Sequence, residues 1–439
     1  MKKIVKFGGS SLASAEQFKK VGDIIRAEES RKYVVPSAPG KRFSGDTKVT
    51  DMLYKCYDAA ENGERFVGLL DEIKARYDEI IAGLDLDLSL NDEFDVIRNN
   101  FTNKAGKDYA ASRGEYLNGI IMANYLGYDF IDAAEVVLFD ENGQFDAVKT
   151  NEVMSKRLES SERAVIPGFY GAMPDGTIKT FSRGGSDLTG SIVAKAAKVD
   201  MYENWTDVSG FMIADPRIVP NPKSIDAITY KELRELSYMG ATVLHEDAIF
   251  PIRKEGIPIN IRNTNAPEDK GTLIVEATCR HPKYTITGIA GKQGFASITI
   301  EKAMMNSEVG FCRKVLTVFE EEGISIEHMP SGIDTMTIFV HQDEFEEHEQ
   351  RVIAAVHRAV EPDTVELESD LALIAIVGRG MKAKRGTAGS AFSALAKAHV
   401  NLKMIDQGSS ELNIVIGVRN HDFENAVKAL YDTFVTSKQ

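Results

Sequence analysis

Apolar and polar positions along the first 275 residues predict alternating strands and helices. Residues 3–7 predict a strand, after which Phe18, Val21 and Ile24 recur at helical spacing. Ser14 and Gln17 predict a reciprocal capping box at the start of that helix. At 33–40 the pattern then predicts a short strand that ends in a Pro/Gly loop. It goes on to predict a helix at 116–127, a strand at 162–168, a helix at 187–199 and a strand at 201–205. This alternation indicates a three-layer αβα domain with a mostly parallel sheet, in which ligands bind beyond the carboxyl ends of the strands.

Two departures from the alternation suggest how the rest of the chain is organised. An acidic, helix-like segment at about 60–110 interrupts it, and we interpret this segment as a solvated helical insertion. Beyond residue 284, two similar units follow at an offset of 76 residues, opened by Gly310 and Gly386. Three apolar positions correspond between the units: Phe319 with Leu395, Ile324 with Val400, and Ile338 with Ile414. Each unit predicts a glycine turn, an amphipathic helix and two short strands.

Composition narrows the class of protein. The 439 residues carry a formal net charge of −14, which argues against an extended nucleic-acid surface. The cysteines, Cys56, Cys279 and Cys312, are widely spaced and form no CxxC pair, so neither a zinc site nor a disulfide framework is indicated. No signal peptide and no apolar run long enough to span a membrane is visible. We therefore expect a reduced, cytoplasmic protein that binds neither nucleic acid nor membrane.

The first candidate for chemistry is KFGGSS, residues 6–11. A glycine pair between a strand and a capped helix leaves backbone N–H groups that can point at an anion, and the helix dipole adds positive charge. Lys6 would add a mobile charge, and Ser10 and Ser11 would add hydroxyl groups. The motif fits a phosphate cradle, although an ordinary tight turn has a similar sequence.

A second basic residue followed by two glycines occurs in FSRGGSDLTGS, residues 181–191. The fork of Arg183 suits a carboxylate held through two hydrogen bonds. Ser186 and Asp187 follow at the start of the predicted helix. The alternative is a capped helix with Asp187 stabilising its N-terminus.

Two further polar segments are candidates. In ENWTDVSGFMIADPRIVPN, Thr206 and Asp207 follow a strand and could hold a nucleotide or order magnesium-bound water, and a polar surface turn is the alternative. The single tryptophan, Trp205, is expected in the core. In SRGEYLNG, Glu115 could bind a substrate ammonium or only favour a helix N-terminus.

These motifs together resemble aspartokinases. KFGGSS, VVPSAPG, DTKVTDML, RGE, RGGSD, WTDVSG with ADPR, and YMGATVLH occur in the order found in that family, and the C-terminal repeat is similar to its paired ACT domains. The resemblance implies an amino acid kinase domain at 1–275, including the insertion, followed by two ferredoxin-like (βαββαβ) ACT domains at 284–365 and 366–439. It also implies the monofunctional form, without a fused homoserine dehydrogenase.

The implied reaction is transfer of the ATP γ-phosphoryl group to the β-carboxylate of L-aspartate. This is the first step of the lysine, threonine and methionine branch of biosynthesis (EC 2.7.2.4). An ionised carboxylate needs no catalytic base, so catalysis would rest on positioning and charge neutralisation. Magnesium would enter with ATP, with no ligand predicted from the protein itself.

The resemblance assigns roles by position. The catalytic residues would be Lys6, Gly8, Gly9 and Asp187. The ATP-binding residues would be Lys6, Ser10, Thr206, Asp207, Asp215 and Arg217. The aspartate-binding residues would be Ser37, Thr50, Glu115, Arg183 and Ser186. Glu115 would pair the substrate ammonium and Arg183 its α-carboxylate.

The sequence departs from the family pattern at two positions. Thr242 stands where the family usually has a lysine near the nucleotide phosphates, and we hypothesise that Arg217 or Lys254 compensates. Ser182 replaces a glycine before Arg183, which is expected only to stiffen the turn.

The ACT repeat implies feedback regulation by an amino acid. The residues that match an effector site are Met305, Ser325, Glu327 and Ser331. Glu327 could pair with the ammonium of a lysine effector, or could be an exposed acid at a strand end. Lysine is the expected effector and threonine the alternative. Edge-to-edge pairing of ACT domains implies a homodimer or homotetramer.

Two other functions fit parts of the sequence. A carboxylate kinase of the same fold, such as a glutamate kinase, would share the phosphate motifs but is disfavoured by the ACT pair. A non-catalytic amino-acid sensor is favoured by Thr242 alone and opposed by the intact KFGGSS and RGGSD motifs.

Overall fold

The computed structural model describes residues 1–182, 184–241, 244, 250–278, 283–382 and 384–437. The chain forms two compact units, each assembled from three segments. The first unit contains Met1–Phe211, Ser224–Tyr230 and Thr242–Thr278, and the second contains Met212–Lys223, Lys231–Ala241 and Cys279–Gln439. Residues 212–223 and 231–241 of the predicted first domain thus belong to the second unit.

The first unit is built on a mostly parallel sheet of eight strands. Its strands and those of a separate hairpin (β5 and β6) are β1 (Lys3–Phe7), β2 (Arg31–Pro36), β3 (Asp129–Phe130), β4 (Ala164–Val165), β5 (Tyr170–Ala172), β6 (Ile178–Thr180), β7 (Met201–Thr206), β8 (Ala227–Thr229), β9 (Ile259–Asn263) and β10 (Thr272–Val275). The order in the sheet is β3-β4-β2-β1-β7-β9-β10-β8, and only the β9–β10 pair is antiparallel. The parallel sheet predicted from the alternation is confirmed.

Helices connect these strands. They are α1 (Ala15–Arg26), α2 (Val49–Glu61), α3 (Val67–Gly83), α4 (Asn91–Thr102), α5 (Lys107–Leu126), α6 (Ala133–Val136), α7 (Ala147–Glu159), α8 (Gly185–Ala196), α9 (Tyr230–Tyr238) and α10 (Phe250–Arg253). After its first residue, α9 belongs to the second unit. The Ser14 hydroxyl caps α1 by accepting the Gln17 N–H at 3.4 Å, as predicted. The Gln17 side chain instead donates to Asn265, so the reciprocal half of the capping box does not form.

The segment predicted as a solvated insertion contains helices, but these are not solvated on all sides. One face of α3 and α4 carries apolar residues at helical spacing, including Ile73, Ile80 and Phe94. These residues join the same buried cluster as Val5 and Phe18 from β1 and α1. The interpretation as a solvated subdomain was therefore wrong, because burial of that face fixes the helices to the core of the first unit.

A buried ionic network joins the amino-terminal ends of β1, β2 and β7. Glu203 is fully buried, and its carboxylate accepts from Lys3 Nζ at 2.9 Å and from Arg31 Nε at 2.8 Å. Trp205 lies in the core as expected, and its indole N–H donates to the same carboxylate at 3.0 Å. Glu28 lies 2.7 Å from Lys3 and supplies a second negative charge. Glu203 is thus the fully buried counter-charge of Lys3 and Arg31, and the more exposed Glu28 is their second acidic partner.

The second unit contains one antiparallel sheet of five strands in the order β12-β11-β13-β15-β14. The strands are β11 (Gly288–Glu301), β12 (Thr335–His341), β13 (Thr364–Val377), β14 (Met404–Asp406) and β15 (Asn413–Arg419). The helices are α11 (Phe311–Glu321), α12 (Gln342–Glu346), α13 (Glu349–Val360), α14 (Thr387–Lys397) and α15 (Phe423–Tyr431).

The predicted repeat is visible in this unit. Helices α11 and α14, and strands β11 and β13, have bounds that differ by the same 76 residues. Gly310 and Gly386 cap the two helices with φ of 85° and 84°, a conformation that favours glycine. The limit predicted between residues 365 and 366 falls inside β13, and the domain limits stay a prediction. Within the described part of the chain, none of the helices has the length and apolar character needed to cross a membrane.

The buried network makes a stability prediction. Replacing Glu203 by Gln should lower the free energy of unfolding by about 3–5 kcal/mol, because Lys3 and Arg31 lose their buried counter-charge. Denaturant unfolding followed by the fluorescence of the single Trp205 measures this change. Glu152→Ala, which removes one partner of an exposed pair with Lys156, is the matched control and should leave the unfolding midpoint unchanged. Equal midpoints for Glu203→Gln and the parent protein would contradict the prediction.

Candidate active site

The predicted catalytic residues meet at an ion pair between β1 and α8. Lys6 Nζ lies 2.6 Å from Asp187 Oδ1, and the two side chains are only 10% and 16% exposed. Asp187 is in the first turn of α8, and the preceding Gly184 has a φ of 63° that turns the chain into the helix. The two glycine motifs identified in the sequence therefore converge on one contact, as they must if they serve one reaction.

Asn204 and Tyr202 hold Asp187 in place, and neither residue was identified from the sequence. The parallel register places Asn204 beside Lys6, and its amide donates to Asp187 Oδ1 at 2.8 Å. The Tyr202 hydroxyl donates to the Asp187 carbonyl at 3.2 Å. Both side chains are on β7, where alternation aims residues 202 and 204 at the same face of the sheet. Apart from being two residues apart on a predicted strand, Tyr202 and Asn204 show nothing in the sequence that indicates a role beside Asp187.

The loop that follows β1 contacts the loop that follows β2 through backbone atoms. The Gly9 carbonyl accepts the Gly40 N–H at 2.8 Å. A Cβ atom on Gly9 would lie 2.9 Å from the Ala38 carbonyl, and one on Gly40 would lie 2.5 Å from Gly9 C. Both positions therefore need glycine, because the two backbones approach too closely for a side chain. The close approach suggested by the glycine pair is present, and its partner is the VVPSAPG loop.

Some of the N–H and hydroxyl groups expected to bind a phosphate are already hydrogen-bonded to other groups of the protein. The Gly8 N–H donates to the Trp205 carbonyl at 3.0 Å, and the Ser11 N–H donates to the Gly8 carbonyl at 3.0 Å. The Ser11 hydroxyl is bonded to the Thr264 hydroxyl at 2.8 Å and is buried. Ser10, by contrast, is exposed at the surface of the loop. Of the two serines in this motif, Ser11 has a protein partner for its hydroxyl, and Ser10 is the exposed one.

Ser37 and Thr50 lie on either side of the same contact. The Ser37 N–H donates to the Phe7 carbonyl at 3.1 Å, and the Ser37 carbonyl accepts from the Asn118 amide at 2.6 Å. Thr50 is in the first turn of α2, whose Val49 N–H donates to the Pro39 carbonyl at 3.1 Å. Both predicted aspartate-binding residues are thus fixed to the segment that packs on Gly9.

Glu115 is a buried carboxyl group beside this loop. It lies within α5, not at a helix start, so the capping alternative for it is wrong. Burial raises the pKa of Glu115 to about 8, against the opposing effects of a hydrogen bond from the Ala38 N–H and of the charges on Lys6 and Arg113. Its Oε2 atom is buried without a hydrogen-bond partner. A buried oxygen without a donor suits a ligand that brings one, such as an ammonium group.

Three more of the predicted residues, Thr206, Asp207 and Ser186, end or follow β7 or begin α8. Thr206 ends β7 directly after Trp205, and its hydroxyl donates to Asp207 at 3.2 Å. Ser186 precedes Asp187 in α8 and lies against Gly168, where a Cβ would be 2.7 Å from the serine Oγ. Arg183 and Thr242 lie outside the described residues.

Asp215 and Arg217 belong to the second unit and pair with each other. The Arg217 guanidinium donates from Nη2 to Asp215 Oδ2 at 2.6 Å and from Nε to both carboxylate oxygens at 3.0 Å. Arg217 is 87% exposed, and the hydrogen bonds from its side chain lower the pKa of Asp215. Lys254 is also exposed. The hypothesis that Arg217 or Lys254 replaces a lysine at Thr242 stays a prediction.

Phe169 is a further residue that the sequence did not reveal. Its φ is 81°, which is rare for a bulky residue and costs of order 1–3 kcal/mol. Its N–H donates to the Thr189 hydroxyl at 3.0 Å and its carbonyl accepts from the Phe181 N–H at 2.9 Å. Phe169 therefore packs beside the start of α8, where a Cβ on Gly185 would lie 2.6 Å from its ring. Strained backbone of this kind clusters at functional sites.

Two of the four predicted effector residues line one cavity in the second unit. Met305 and Ser331 contribute to a cavity of about 270 Å³ at the start of α11. Gly310, Phe311 and Cys312 also line it. The N-terminus of α11 gives this cavity a partial positive charge.

Glu327 and Ser325 do not line that cavity. Glu327 Oε1 lies 3.3 Å from His341 Nε2, and the carboxylate also accepts from the Tyr238 hydroxyl. Burial of the tyrosine, and then this hydrogen bond, raises the pKa of Tyr238. Glu327 is 10% exposed, so it is not the exposed acid of the alternative interpretation. Ser325 is exposed. An effector ammonium would have to compete with His341 and Tyr238 for Glu327.

Two family models match the chain. The model of the amino acid kinase family matches residues 1–263, and a model of the ACT domain matches residues 374–434. The first match covers more than half of the chain and contains every predicted catalytic residue.

Curated and solved relatives match nearly the whole chain. Aspartokinase 3 of Bacillus subtilis (strain 168) is 40% identical, with 98% of both chains covered. The crystal structure of Clostridium acetobutylicum aspartate kinase is 53% identical with a TM-score of 0.94, and the match covers 98% of this chain and 100% of the other.

A more distant structure shares the fold. Escherichia coli aspartokinase III, solved in complex with aspartate and ADP, is 24% identical with a TM-score of 0.75 and full coverage of both chains. The same enzyme in complex with lysine and aspartate gives the same identity and TM-score, with 99% of each chain covered. The chain therefore belongs to the aspartokinase family, the aspartate kinases of EC 2.7.2.4, and combines their amino acid kinase domain with a C-terminal ACT region.

Proposed function

We propose that the site around Lys6 and Asp187 binds ATP on the side of the loop that follows β1 (residues 8–11, the glycine loop) and aspartate on the side of Glu115. A β-carboxylate oxygen of aspartate attacks the γ-phosphorus, the bond from that phosphorus to the bridging oxygen breaks, and ADP leaves. The product is 4-phospho-L-aspartate. The observation that carries this proposal is the Lys6–Asp187 contact, because it joins the two glycine motifs.

Lys6 is proposed to neutralise charge on the phosphoryl group in transfer. Its ammonium has three donors, so it can keep Asp187 while it reaches a phosphate oxygen. Asp187, held by Asn204, keeps the lysine aimed at the glycine loop. The N–H groups of Gly9 and Ser10 are proposed to contact the same phosphates, since those of Gly8 and Ser11 have protein partners.

Aspartate is proposed to bind with its ammonium at Glu115 and its α-carboxylate at Arg183, with Ser37, Thr50 and Ser186 completing the contacts. The orphan Oε2 of Glu115 supports the first of these assignments. No proton has to move during transfer, because the attacking carboxylate is ionised at pH 7. Selection of an amino acid over a simple dicarboxylic acid would then come from Glu115.

Magnesium is proposed to arrive with the nucleotide. Among the described residues there is no group of three or more acidic, histidine or cysteine side chains that could hold a metal ion. Phosphate oxygens and water are the ligands that magnesium prefers when it accompanies a nucleotide. The ion would neutralise charge on the phosphates, and Thr206 and Asp207 are proposed to hold the nucleotide in the same region. The assignment of Asp215 and Arg217 to ATP binding stays a prediction.

Regulation is proposed to use the cavity that Met305 and Ser331 line. The helix N-terminus at Gly310 would bind the carboxylate of a free amino acid, lysine first and threonine as the alternative. Escherichia coli aspartokinase III binds lysine in one of its solved complexes. Pairing of sheet edges would give a homodimer or homotetramer, and a cytoplasmic location is expected.

Lysine 6 gives the most direct test of the reaction. Lys6→Ala should lower kcat for aspartate-dependent ADP release by about 10²–10³-fold, because one aimed cation leaves the transition state. A coupled assay of ADP with and without magnesium measures this loss. Lys2→Ala removes an exposed lysine from the same segment and should keep full activity. Full activity of Lys6→Ala would contradict the proposed role of Lys6 in phosphoryl transfer. If the parent protein phosphorylates glutamate as efficiently as aspartate, it would instead be a glutamate kinase.

Glu115 predicts a pH dependence. In the free enzyme Glu115 is largely protonated below pH 8, and it gains the charge that binds an ammonium as the pH rises through about 8. The value of kcat/KM for aspartate should therefore rise over this range, because kcat/KM reports the free enzyme. In Glu115→Gln the activity should be low and this rise should disappear. A rise of the same size in Glu115→Gln would assign the titration to another group.

The effector cavity can be tested through Cys312, an exposed thiol on its lining. In a Cys279→Ser background, with Cys56 buried, the bound effector should slow modification of Cys312 by a thiol reagent about tenfold or more. Lysine and threonine are compared as the added amino acid, and Cys312→Ser assigns the signal. Inhibition of the kinase by either amino acid with an unchanged modification rate would place the effector elsewhere.

A further inference from the structure

The segment 40–47 connects the two predicted aspartate-binding residues that follow β2, and it has no helix or strand of its own. Ser37 precedes it and Thr50 follows it in the first turn of α2. Residues 41–45 are exposed. A segment of this kind would move freely unless another element held it.

Arg76 on α3 holds both ends of the 40–47 segment. Its Nη2 donates to the Gly40 carbonyl, and its Nη1 donates to the Thr47 carbonyl at 2.5 Å. The arginine is only 5% exposed. A third contact, from Nη2 to Asp46 Oδ2 at 3.3 Å, neutralises its charge. One buried side chain therefore fixes the first and the last residue of the segment.

The contact at Gly40 reaches the candidate active site in one step. The Gly40 N–H donates to the Gly9 carbonyl at 2.8 Å, so Arg76 and Gly9 bind the two sides of the same short stretch of backbone. A Cβ on Gly40 would lie 2.7 Å from the Ser10 N, which shows how little space separates the two loops. A shift of Gly40 would open a gap between the 40–47 segment and the loop that carries Gly9.

Arginine suits this position for a geometric reason. Its planar guanidinium presents several N–H groups in a fixed fork, and two of them reach carbonyls that belong to different parts of the chain. A lysine ammonium is a single point and could not span both with the same geometry. Asp46 is in turn bound by Arg42, from Nε at 2.9 Å, which keeps the counter-charge in place.

We propose that Arg76 is a positioning residue for aspartate phosphorylation: it clamps the 40–47 segment so that Ser37 and Thr50 are held against the glycine loop. Arg76 touches neither substrate and acts through the carbonyls of Gly40 and Thr47. The kinetic part of this inference rests on the proposed function, and the structural part does not. It also gives the α3 insertion a function beyond its contribution to the core.

The structural part is tested without substrate. Lys41, Arg42 and Lys48 lie in or next to the clamped segment and are cleavage sites for trypsin. Arg76→Met should be cleaved there about tenfold faster than the parent protein, and Arg76→Lys should give an intermediate rate. Lys74→Ala removes a lysine of the same helix whose ion pair is with Asp78, and it should be cleaved at the parent rate. Equal rates for Arg76→Met and the parent protein would overturn the clamp.

The kinetic part separates positioning from a general loss of fold. Arg76→Met should lower kcat/KM for aspartate by about 10- to 100-fold, mainly through a higher KM for aspartate, since displacement by about 1 Å has effects of this size. The KM for ATP should stay within about twofold, and Arg76→Lys should restore part of the loss. An unchanged KM for aspartate, or equal losses for aspartate and ATP, would overturn the positioning role.

The two proposals fail in different ways. If the parent protein shows no aspartate-dependent ADP formation, the proposed function falls, and the trypsin comparison still decides whether Arg76 clamps the segment. If circular dichroism shows that Arg76→Met is not folded, both measurements are made on Arg76→Lys instead. Cleavage of Arg76→Lys by trypsin that is slower than cleavage of denatured protein shows that this variant is folded. Parent-like cleavage and parent-like KM for aspartate in Arg76→Lys would then overturn the inference.

Discussion

The ion pair between Lys6 and Asp187 is the interaction on which the candidate active site depends. It joins the end of β1 to the start of α8, so the lysine of one glycine motif and the aspartate of the other occupy one place. A mostly buried pair is stabilising only when its remaining hydrogen-bonding capacity is met, and Asn204 meets part of it for Asp187. A phosphate would share the lysine with Asp187 and complete the arrangement.

A second constraint is the direct contact between two loop backbones. Gly9 and Gly40 approach so closely that neither can carry a side chain. This contact fixes the spacing between the loops that follow β1 and β2, which are the proposed phosphate side and aspartate side of the site. Glu115 lies against the same loop, with the Ala38 N–H as its donor. The high pKa of its carboxyl group follows from burial, and the lysine charge nearby moderates it. The site thus combines one charge pair, one backbone contact and one desolvated acid.

Sequence reasoning succeeded where a pattern has a single structural cause. The glycine pairs marked the two turns, and the 76-residue offset predicted equivalent helices whose capping glycines share one conformation. It failed where the partner of a residue is set by tertiary packing. Nothing near Glu327 predicts that His341 and Tyr238 occupy its carboxylate. Likewise, the acidic composition of 60–110 concealed the face of α3 that carries Arg76.

A crystal structure of the protein with aspartate and the magnesium complex of a non-hydrolysable ATP analogue tests this account most directly. We predict that Lys6 Nζ lies within hydrogen-bond distance of the γ-phosphate while it keeps Asp187, and that the aspartate ammonium meets Glu115 Oε2. Nucleotide or aspartate bound away from the Gly9 and Gly40 loops, with Lys6 in contact with neither, would contradict it.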